Sequence, residues 1–479
     1  MSNPCALLQA RLRPNKIMSD RISTGNREAD EILFGGFPKN SINIIMGLPG
    51  TGKTVFAQNI VFHNAGPDRP ILYLTTLSEP VAKVVRYLQR FDFYDEGKLG
   101  AEVHYDDIGA RLAAEGIGAI VPVLQEAIRT LAPKLIIIDS FKALHDLAPS
   151  ILEFRRMLFE MTGTLTAFDT TVFLLGEYTN EHAQQLPEFA VADAIVQFMR
   201  SPTNTRDERF LRVLKLRGSR YLEGFHAFRI VSSGLEVFPR LVSPQNPEKY
   251  KIVEERISSG VPGLDKLLGG GLWRGSTTLV AGPTGGGKTT IGLQFILDGV
   301  NRGEPSLYAN FQENPTQIAR VLRTLGADVE EVERKGLLKL YYSSPVELQI
   351  DSVIVTLFKR IREEKIKRVV IDAVGDLRMA ASDPQRLHDY LYALIQNLTV
   401  LGVTTFLNFE IAGVIPDDDT VAADGGRISY LSDNIVLLST ELKEKIKRTV
   451  AVVKARGGPH DLSIHEIEIT GQGVRVKAV

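Results

Sequence analysis

"GLPGTGKT" runs from Gly47 to Thr54, and "GPTGGGKT" runs from Gly282 to Thr289. Both fit G-x-x-x-x-G-K-[ST]. Each lies between an apolar strand-like run ("INIIMG", "TTLVAG") and a helical pattern, the setting a phosphate-binding loop requires. Gly47, Gly50 and Gly52, with Thr51, let backbone N–H groups curl around phosphates, and the following helix N-terminus adds positive potential. Lys53 is placed to neutralise β/γ-phosphate charge, and the Thr54 hydroxyl to ligate Mg²⁺. Gly282, Thr284, Gly285, Gly286, Gly287, Lys288, Thr289 and Thr290 offer the same groups in the second loop. ATP and Mg²⁺ are the expected ligands.

The loops belong to a larger repeat. "RISTGNREADEILFGGFPKNSINIIMGLPGTGKT" begins at Arg21, and "RISSGVPGLDKLLGGGLWRGSTTLVAGPTGGGKT" begins at Arg256. Subtracting 21 from 256 gives 235, the same offset that separates Lys53 from Lys288. "LIIIDS" then matches "VVIDAV", and "VLKLRGS" matches "VVKARGG". The expected layout is an extension over 1–20, a first ATPase domain over 21–240, a linker over 241–255 and a second domain over 256–479. The linker reading rests on the proline-rich, polar stretch "PRLVSPQNPEKYKIVEE".

In each half, short apolar runs ("ILYLTT", "KLIIID", "TTVFLLGE"; "SLYANF", "RVVIDAV", "TTFLNFE") alternate with helical patterns. One of these places Val81, Val84, Val85, Leu88 and Phe91 on a common face. The alternation predicts an α/β fold: a mainly parallel sheet covered on both faces, with a β-rich C-terminal part. Asp139 and Asp372 close apolar strands, where a carboxylate is costly unless it has work to do. A strand end beside a phosphate loop suits the Mg²⁺ hydration shell.

Composition bounds the function. The 479 residues exceed one typical core, and the net charge of −1 lacks the basic excess of a dedicated nucleic-acid binder. The single Cys5 excludes an internal disulfide and fits a reducing, cytoplasmic setting. No apolar run approaches the ~18 residues of a membrane span, and the N-terminus lacks a signal-peptide pattern.

The tandem layout, the glycine-rich stretch from Arg256 to Thr290 and the "VLKLRG" closing the first half resemble the KaiC family. These are the circadian-clock ATPases and autokinases of the RecA-like group. The resemblance implies two tandem RecA-like P-loop domains in a signalling or regulatory ATPase. It also implies a homo-hexamer of two stacked rings, with ATP held between neighbouring subunits and with regulatory protein partners. It gives Lys215, Arg217, Lys454 and Arg456 a role as contacts to the neighbouring subunit's γ-phosphate. Residues two apart on a strand share a face, which would aim each pair together.

Departures from the family pattern separate the halves. Where the family carries paired glutamates that activate water, the second half has Gln312 and Glu313. The first half has Leu77 and Ser78, with Glu79 one position further on. Leucine cannot act as a base, so Glu313 and Gln312 are the stronger candidates, Glu79 is a weaker one, and the first domain is expected to bind ATP and hydrolyse it poorly. Ser429 matches the family's phosphoacceptor serine, Tyr430 replaces the adjacent threonine, and Ser432 is a further hydroxyl nearby. At most partial Ser/Thr autokinase behaviour is expected. The chain ends at "GVRVKAV", where clock members continue into a partner-recruiting tail, so neither clock partners nor a clock role is the expectation here.

Other signals are quieter. "LFKRIREEKIKR" (357–368) and "LKEKIKR" (442–448) read as solvated faces, "PDDDT" (416–420) as a loop, and Trp273 as a packing residue. His104 and His460 lack ligand-spaced companions. Two alternatives stand beside the leading reading. One is a DNA-dependent recombination or repair ATPase, which stimulation by single-stranded DNA would mark. The other is a nucleotide-gated assembly scaffold with little hydrolysis.

Overall fold

The computed structural model describes residues 20–77, 80–202, 207–250, 253–380, 384–411, 431–442 and 445–477. The chain divides into two compact units, one ending at Arg240 and the other starting at Leu241.

The first unit is built on nine strands: β1 (Ile42–Met46), β2 (Ile71–Thr75), β3 (Val103–Asp107), β4 (Leu135–Asp139), β5 (Thr171–Gly176), β6 (Ala194–Pro202), β7 (Asp207–Leu216), β8 (His226–Val231) and β9 (Gly234–Phe238). Their order in the sheet is β9-β8-β7-β6-β1-β5-β4-β2-β3. Strands β3 to β6 in that order pair in parallel, and β6 to β9 pair antiparallel. All five residues of β1 are buried, because a central parallel strand is covered on both faces and reads as an unbroken apolar run. Helix α1 (Lys53–Asn64) covers one face with Phe56, Ile60 and Val61, and the Phe154, Met157 and Met161 side chains cover the other.

The second unit repeats the plan with β10 (Thr277–Gly282), β11 (Ser306–Asn310), β12 (Leu338–Tyr342), β13 (Arg368–Asp372), β14 (Thr404–Glu410), β15 (Asn434–Leu442), β16 (Ile446–Ala455), β17 (His465–Thr470) and β18 (Gly473–Val476). The order β12-β11-β13-β14-β10-β15-β16-β17-β18 is that of the first unit, strand for strand. Helices α2 (Lys288–Asn301) and α3 (Pro384–Val400) pack on opposite faces. The two mainly parallel sheets with flanking helices are the tandem RecA-like architecture expected from the sequence.

Three local readings change. The helix from Val81 stops at Leu88 and does not reach Phe91. Its last turn tightens as the N–H groups of Arg90 and Phe91 donate to the carbonyls of Tyr87 and Leu88, and Phe91 stacks on Phe93. The charged stretch 357–368 is not wholly solvated, since Arg368 is 0% exposed. Its guanidinium enters the second unit and meets Glu304 and Asp298 at 2.7 and 2.9 Å, which is what allows a charge to be buried. The joint after Arg240 is anchored on the second unit. Leu241 packs against its core, Asn397 on α3 donates to the Val242 carbonyl at 3.0 Å, and the Tyr250 hydroxyl donates to Gln396 at 2.8 Å. Trp273 packs under the Arg256 guanidinium, 4.1 Å from its ring centroid.

Candidate functional site

Each phosphate loop leaves the C-terminal end of its unit's central strand and turns into a helix with no side-chain cap. The residues at those helix starts, Gly52 and Gly287, have φ of +104° and +103°, a left-handed conformation that favours glycine. Uncapped N–H groups at a helix N-terminus are the donors a phosphate takes up. Gly47 answers a different demand: a Cβ there would lie 2.3 Å from the Phe198 carbonyl oxygen.

In the second unit, β11, β13 and β14 bring their C-terminal ends to the loop. Asp372 Oδ2 accepts from the Thr289 hydroxyl at 2.8 Å and from the Tyr308 hydroxyl. Burial, then the Asp372 charge, raises the Tyr308 pKa, so it stays a donor. The Lys288 ammonium donates to the carbonyls of Gly282 and Pro283, each at 2.9 Å. Burial pulls its pKa down, while Glu410 and Asp372 push it up.

Gln312 and Glu313 sit at the mouth of this cleft of about 310 Å³. Asn310 fixes their turn, accepting from both of their N–H groups and donating to the Glu313 carbonyl at 2.9 Å. The Gln312 amide donates to Asp376 at 2.9 Å, so its remaining oxygen has a set direction. Glu313 Oε2 is buried and has no hydrogen-bond partner among the described residues. Burial, and then Asp372, pushes the Glu313 carboxyl above its ordinary range. A carboxylate so placed is a proton acceptor in waiting.

The first unit builds the same loop and half of the same surroundings. Asp139 Oδ2 accepts from Tyr73 at 2.7 Å and from Thr54 at 3.3 Å, and Lys53 donates to the Leu48 carbonyl at 3.0 Å. The peptide bonds after both carboxylates, Asp139–Ser140 and Asp372–Ala373, are cis. Opposite Gln312 stands Leu77, 51% exposed, and opposite Asp376 stands Ala143. The polar pair is thus missing as a pair. Ser78 and Glu79 lie outside the described residues, as do Ser429, Tyr430 and "PDDDT".

Lys215, Arg217, Lys454 and Arg456 do not line the cleft of their own unit. Lys215 and Arg217 both donate to the Ala190 carbonyl, at 3.4 and 3.2 Å, but not as two residues of one strand, since β7 ends at Leu216. Lys454 donates to the Ser432 carbonyl at 2.7 Å, and Arg456 lies 3.6 Å from Asp433. Just before each lysine the strand bulges. Ile195 faces Lys215 but Val196 faces Val213, and Ile435 faces Lys454 but Val436 faces Val452. Bulges at such places re-aim side chains. Ser432 is 0% exposed, and its hydroxyl has no hydrogen-bond partner among the described residues, so in this conformation it is not presented as a phosphate acceptor.

The sequence reading overlooked Glu410 and Glu177. Both follow or close the strand beside the loop, both line their clefts, and Glu410 accepts from the Thr284 hydroxyl of the loop. The signal was available, since "LLGE" and "LNFE" end alike. Tyr73, Tyr308 and Asp376 were missed too.

A threonine hydroxyl and one carboxylate meet in each unit (Thr54 with Asp139, Thr289 with Asp372), oxygen donors of the type that suits Mg²⁺. The described residues contain no group of three or more His, Cys, Asp or Glu that could hold a metal alone. No helix among them is long and apolar enough to cross a membrane.

A family-wide sequence model described as "ATPase: KaiC" matches this chain twice, over 22–242 and 257–479. A circadian clock oscillator protein KaiC from Picosynechococcus sp. is 30% identical over 94% of this chain and 88% of its own length. Its namesake from Prochlorococcus marinus subsp. pastoris is 30% identical over 96% and 92%. The one from Acaryochloris marina is 29% identical over 97% and 90%.

Proposed function

The chain belongs to the KaiC family of ATPases, and from that premise we propose that it is a two-site ATP-binding ring protein whose second unit hydrolyses ATP while its first unit holds it. The observation that carries this reading is the contrast at the clefts: Glu313 and the Gln312–Asp376 pair in the second unit against Leu77 and Ala143 in the first.

In the second unit, Lys288 and the N–H groups from Gly285 to Thr289 hold the phosphates. The Gln312 oxygen, steadied through Asp376, orients a water. Glu313 takes that water's proton as its oxygen bonds to the γ-phosphorus and the bond to the β-phosphate oxygen breaks, releasing ADP and phosphate. Mg²⁺, held by Thr289 and Asp372 here and by Thr54 and Asp139 in the first unit, would supply charge neutralisation between the β- and γ-phosphates. Lys454 and Arg456, and Lys215 and Arg217, would meet γ-phosphate across a subunit boundary in a homo-hexameric double ring. Their position away from their own clefts supports that role. The ring would serve regulation through partner proteins.

Glu313→Gln tests the assignment. The rate should fall about 10²–10⁴-fold, the usual worth of a general base. A base must be deprotonated, and this carboxyl lies above its ordinary range. The acid limb of the wild-type pH–rate profile should therefore lie above ordinary glutamate values and vanish in the variant. An unchanged profile would transfer the role to another group, and unchanged ring assembly with no turnover in the wild type would favour a scaffold.

A secondary autokinase activity would place phosphate on Ser429. Mass spectrometry after incubation with ATP should find it there and not on the buried Ser432, and Lys288→Ala should remove it. Phosphate that survives Lys288→Ala would contradict the assignment.

A further inference from the structure

The chain enters its two units through the same gate. Arg21 pairs with Pro38, and Arg256 pairs with Trp273, in matching two-residue ladders. In the second unit the segment just before that ladder is held on the outer face of α3. Asn397 donates to the Val242 carbonyl at 3.0 Å, and the Tyr250 hydroxyl donates to Gln396 at 2.8 Å. Tyr392, one turn before Gln396, stands beside the same tyrosine: burial, then Tyr392, raises the Tyr250 pKa.

The first unit builds the counterpart of α3 over Ile151–Thr166. The offset is 372 − 139 = 233 at the end of the preceding strand and 404 − 171 = 233 at the start of the next, so no gap intervenes. Phe159 therefore takes the place of Tyr392, Gly163 that of Gln396 and Leu152 that of Gln385. Residues seven and eleven apart on a helix fall on one line, so these three form a stripe. Phe159 is 81% exposed and Leu152 is 64% exposed. A single exposed apolar side chain is ordinary, but two large ones on one line make a face that gains by being covered. A Cβ at Gly163 would meet nothing within 4 Å, so the backbone there is open to an approaching chain.

The segment before Arg21 differs from the segment before Arg256 as the two helices differ. At the offset of 235, Leu7 stands opposite Val242, Leu12 opposite Pro247 and Asn15 opposite Tyr250. "LVSPQNPEKY" (241–250) is mostly polar and meets a tyrosine and a glutamine. "ALLQARLRPN" (6–15), which lies outside the described residues, carries three leucines, and the helix on its side of the duplication offers leucine and phenylalanine. Segment and face have changed polarity together.

We propose that residues 6–15 dock on the outer face of the helix Ile151–Thr166 of their own chain, with Leu7, Leu8 and Leu12 covering Phe159 and Leu152. The number of residues between the ladder and the docked stretch is the same as in the second unit, so the tether reaches. Thr164, in the place of Asn397, offers a hydroxyl to the backbone of the docked segment. Burial of apolar surface supplies the affinity in place of the hydrogen bonds that Tyr250 and Asn397 make.

Disulfide trapping tests this on the full chain. Cys5 is the only cysteine, so Cys5→Ser gives a clean background for the pair Leu7→Cys and Thr164→Cys. Val242→Cys with Asn397→Cys, the matching contact of the second unit, is the positive control. Leu7→Cys with Tyr87→Cys is the negative control, because Tyr87 is exposed on a helix packed against the opposite face of the sheet. A disulfide needs Cα atoms within about 7 Å. The Leu7–Thr164 pair should close within one chain, at a rate near that of the positive control. Adding Leu152→Asp and Phe159→Asp should slow closure about tenfold or more. The same two changes should leave ATP turnover intact, since neither residue lines a nucleotide cleft. Closure no faster than in the negative control would overturn the proposal, as would closure that the two aspartates do not slow. A disulfide formed between two chains, seen as a dimer on a non-reducing gel, would give the face to a second copy and overturn it as well.

Discussion

Lys288→Ala is expected to remove nearly all ATP turnover, by about 10³-fold, while Lys53→Ala should leave most of it. The reason lies in what each lysine serves. Both are largely buried, and both approach a carboxylate-bearing strand end. Only Lys288 faces a cleft that also holds Glu313 and the braced Gln312. Losing a preorganised charge at the transferring phosphoryl group removes several kcal/mol of transition-state stabilisation, about 1.4 kcal/mol per factor of ten. Lys53→Ala removes a phosphate anchor from a cleft lined by Glu177 but lacking the polar pair. Its effect should fall on nucleotide retention, seen as the loss of one of the two ATP-binding sites per chain in an equilibrium binding measurement. Equal loss of turnover in the two variants would mean that the first unit contributes chemistry of its own.

Arg368→Leu should be the most destabilising single change outside the clefts. The guanidinium is fully buried. It holds Glu304 at 2.7 Å and Asp298 at 2.9 Å, donates to the carbonyls of Ser258 and Phe295 at 3.1 Å each, and lies 4.8 Å from the Phe295 ring centroid. Leucine is what the first unit carries at this point, but there Arg69 replaces Glu304. Transplanted alone, leucine leaves buried carboxylates partly uncompensated. Breaking a buried pair by removing one partner costs about 3–5 kcal/mol. For a unit of this size, that should lower the melting midpoint of the second unit on the order of 10 °C. Adding Glu304→Arg should not restore the loss, because Arg274 would then face a cation in place of the carboxylate it now binds. A shift of less than about 2 °C would show that the ion-pair network contributes little.

Features written in contiguous residues were legible in the sequence. The loops, the closing aspartates Asp139 and Asp372, the duplication and the parallel α/β plan all follow from local patterns, and the sheet orders of the two units agree with them. What was hidden depends on residues that meet only when strands assemble. Tyr308 reaches Asp372 from the neighbouring strand, 64 residues away in sequence, and Gln312 reaches Asp376 over the same separation. Arg368 looked like one charge among many in "EEKIKR" because its partners, Glu304 and Asp298, lie in another segment. Glu410 and Glu177 were visible as a matched pair of strand-ending acids but have no motif of their own. The difference between Gln312 and Leu77 was legible; that Asp376 and Ala143 change with it needed the fold.

The most direct test of the division of labour is a single-turnover measurement. The chain is loaded with radiolabelled ATP at both sites, Mg²⁺ is added, and the phosphate released per chain is followed in time. One phosphate should appear in a fast phase, with the second nucleotide remaining as ATP on that timescale. Glu313→Gln should abolish the fast phase without reducing the ATP bound. Two phosphates released in a single phase, or a fast phase that survives Glu313→Gln and disappears with Lys53→Ala, would contradict the assignment of chemistry to the second unit.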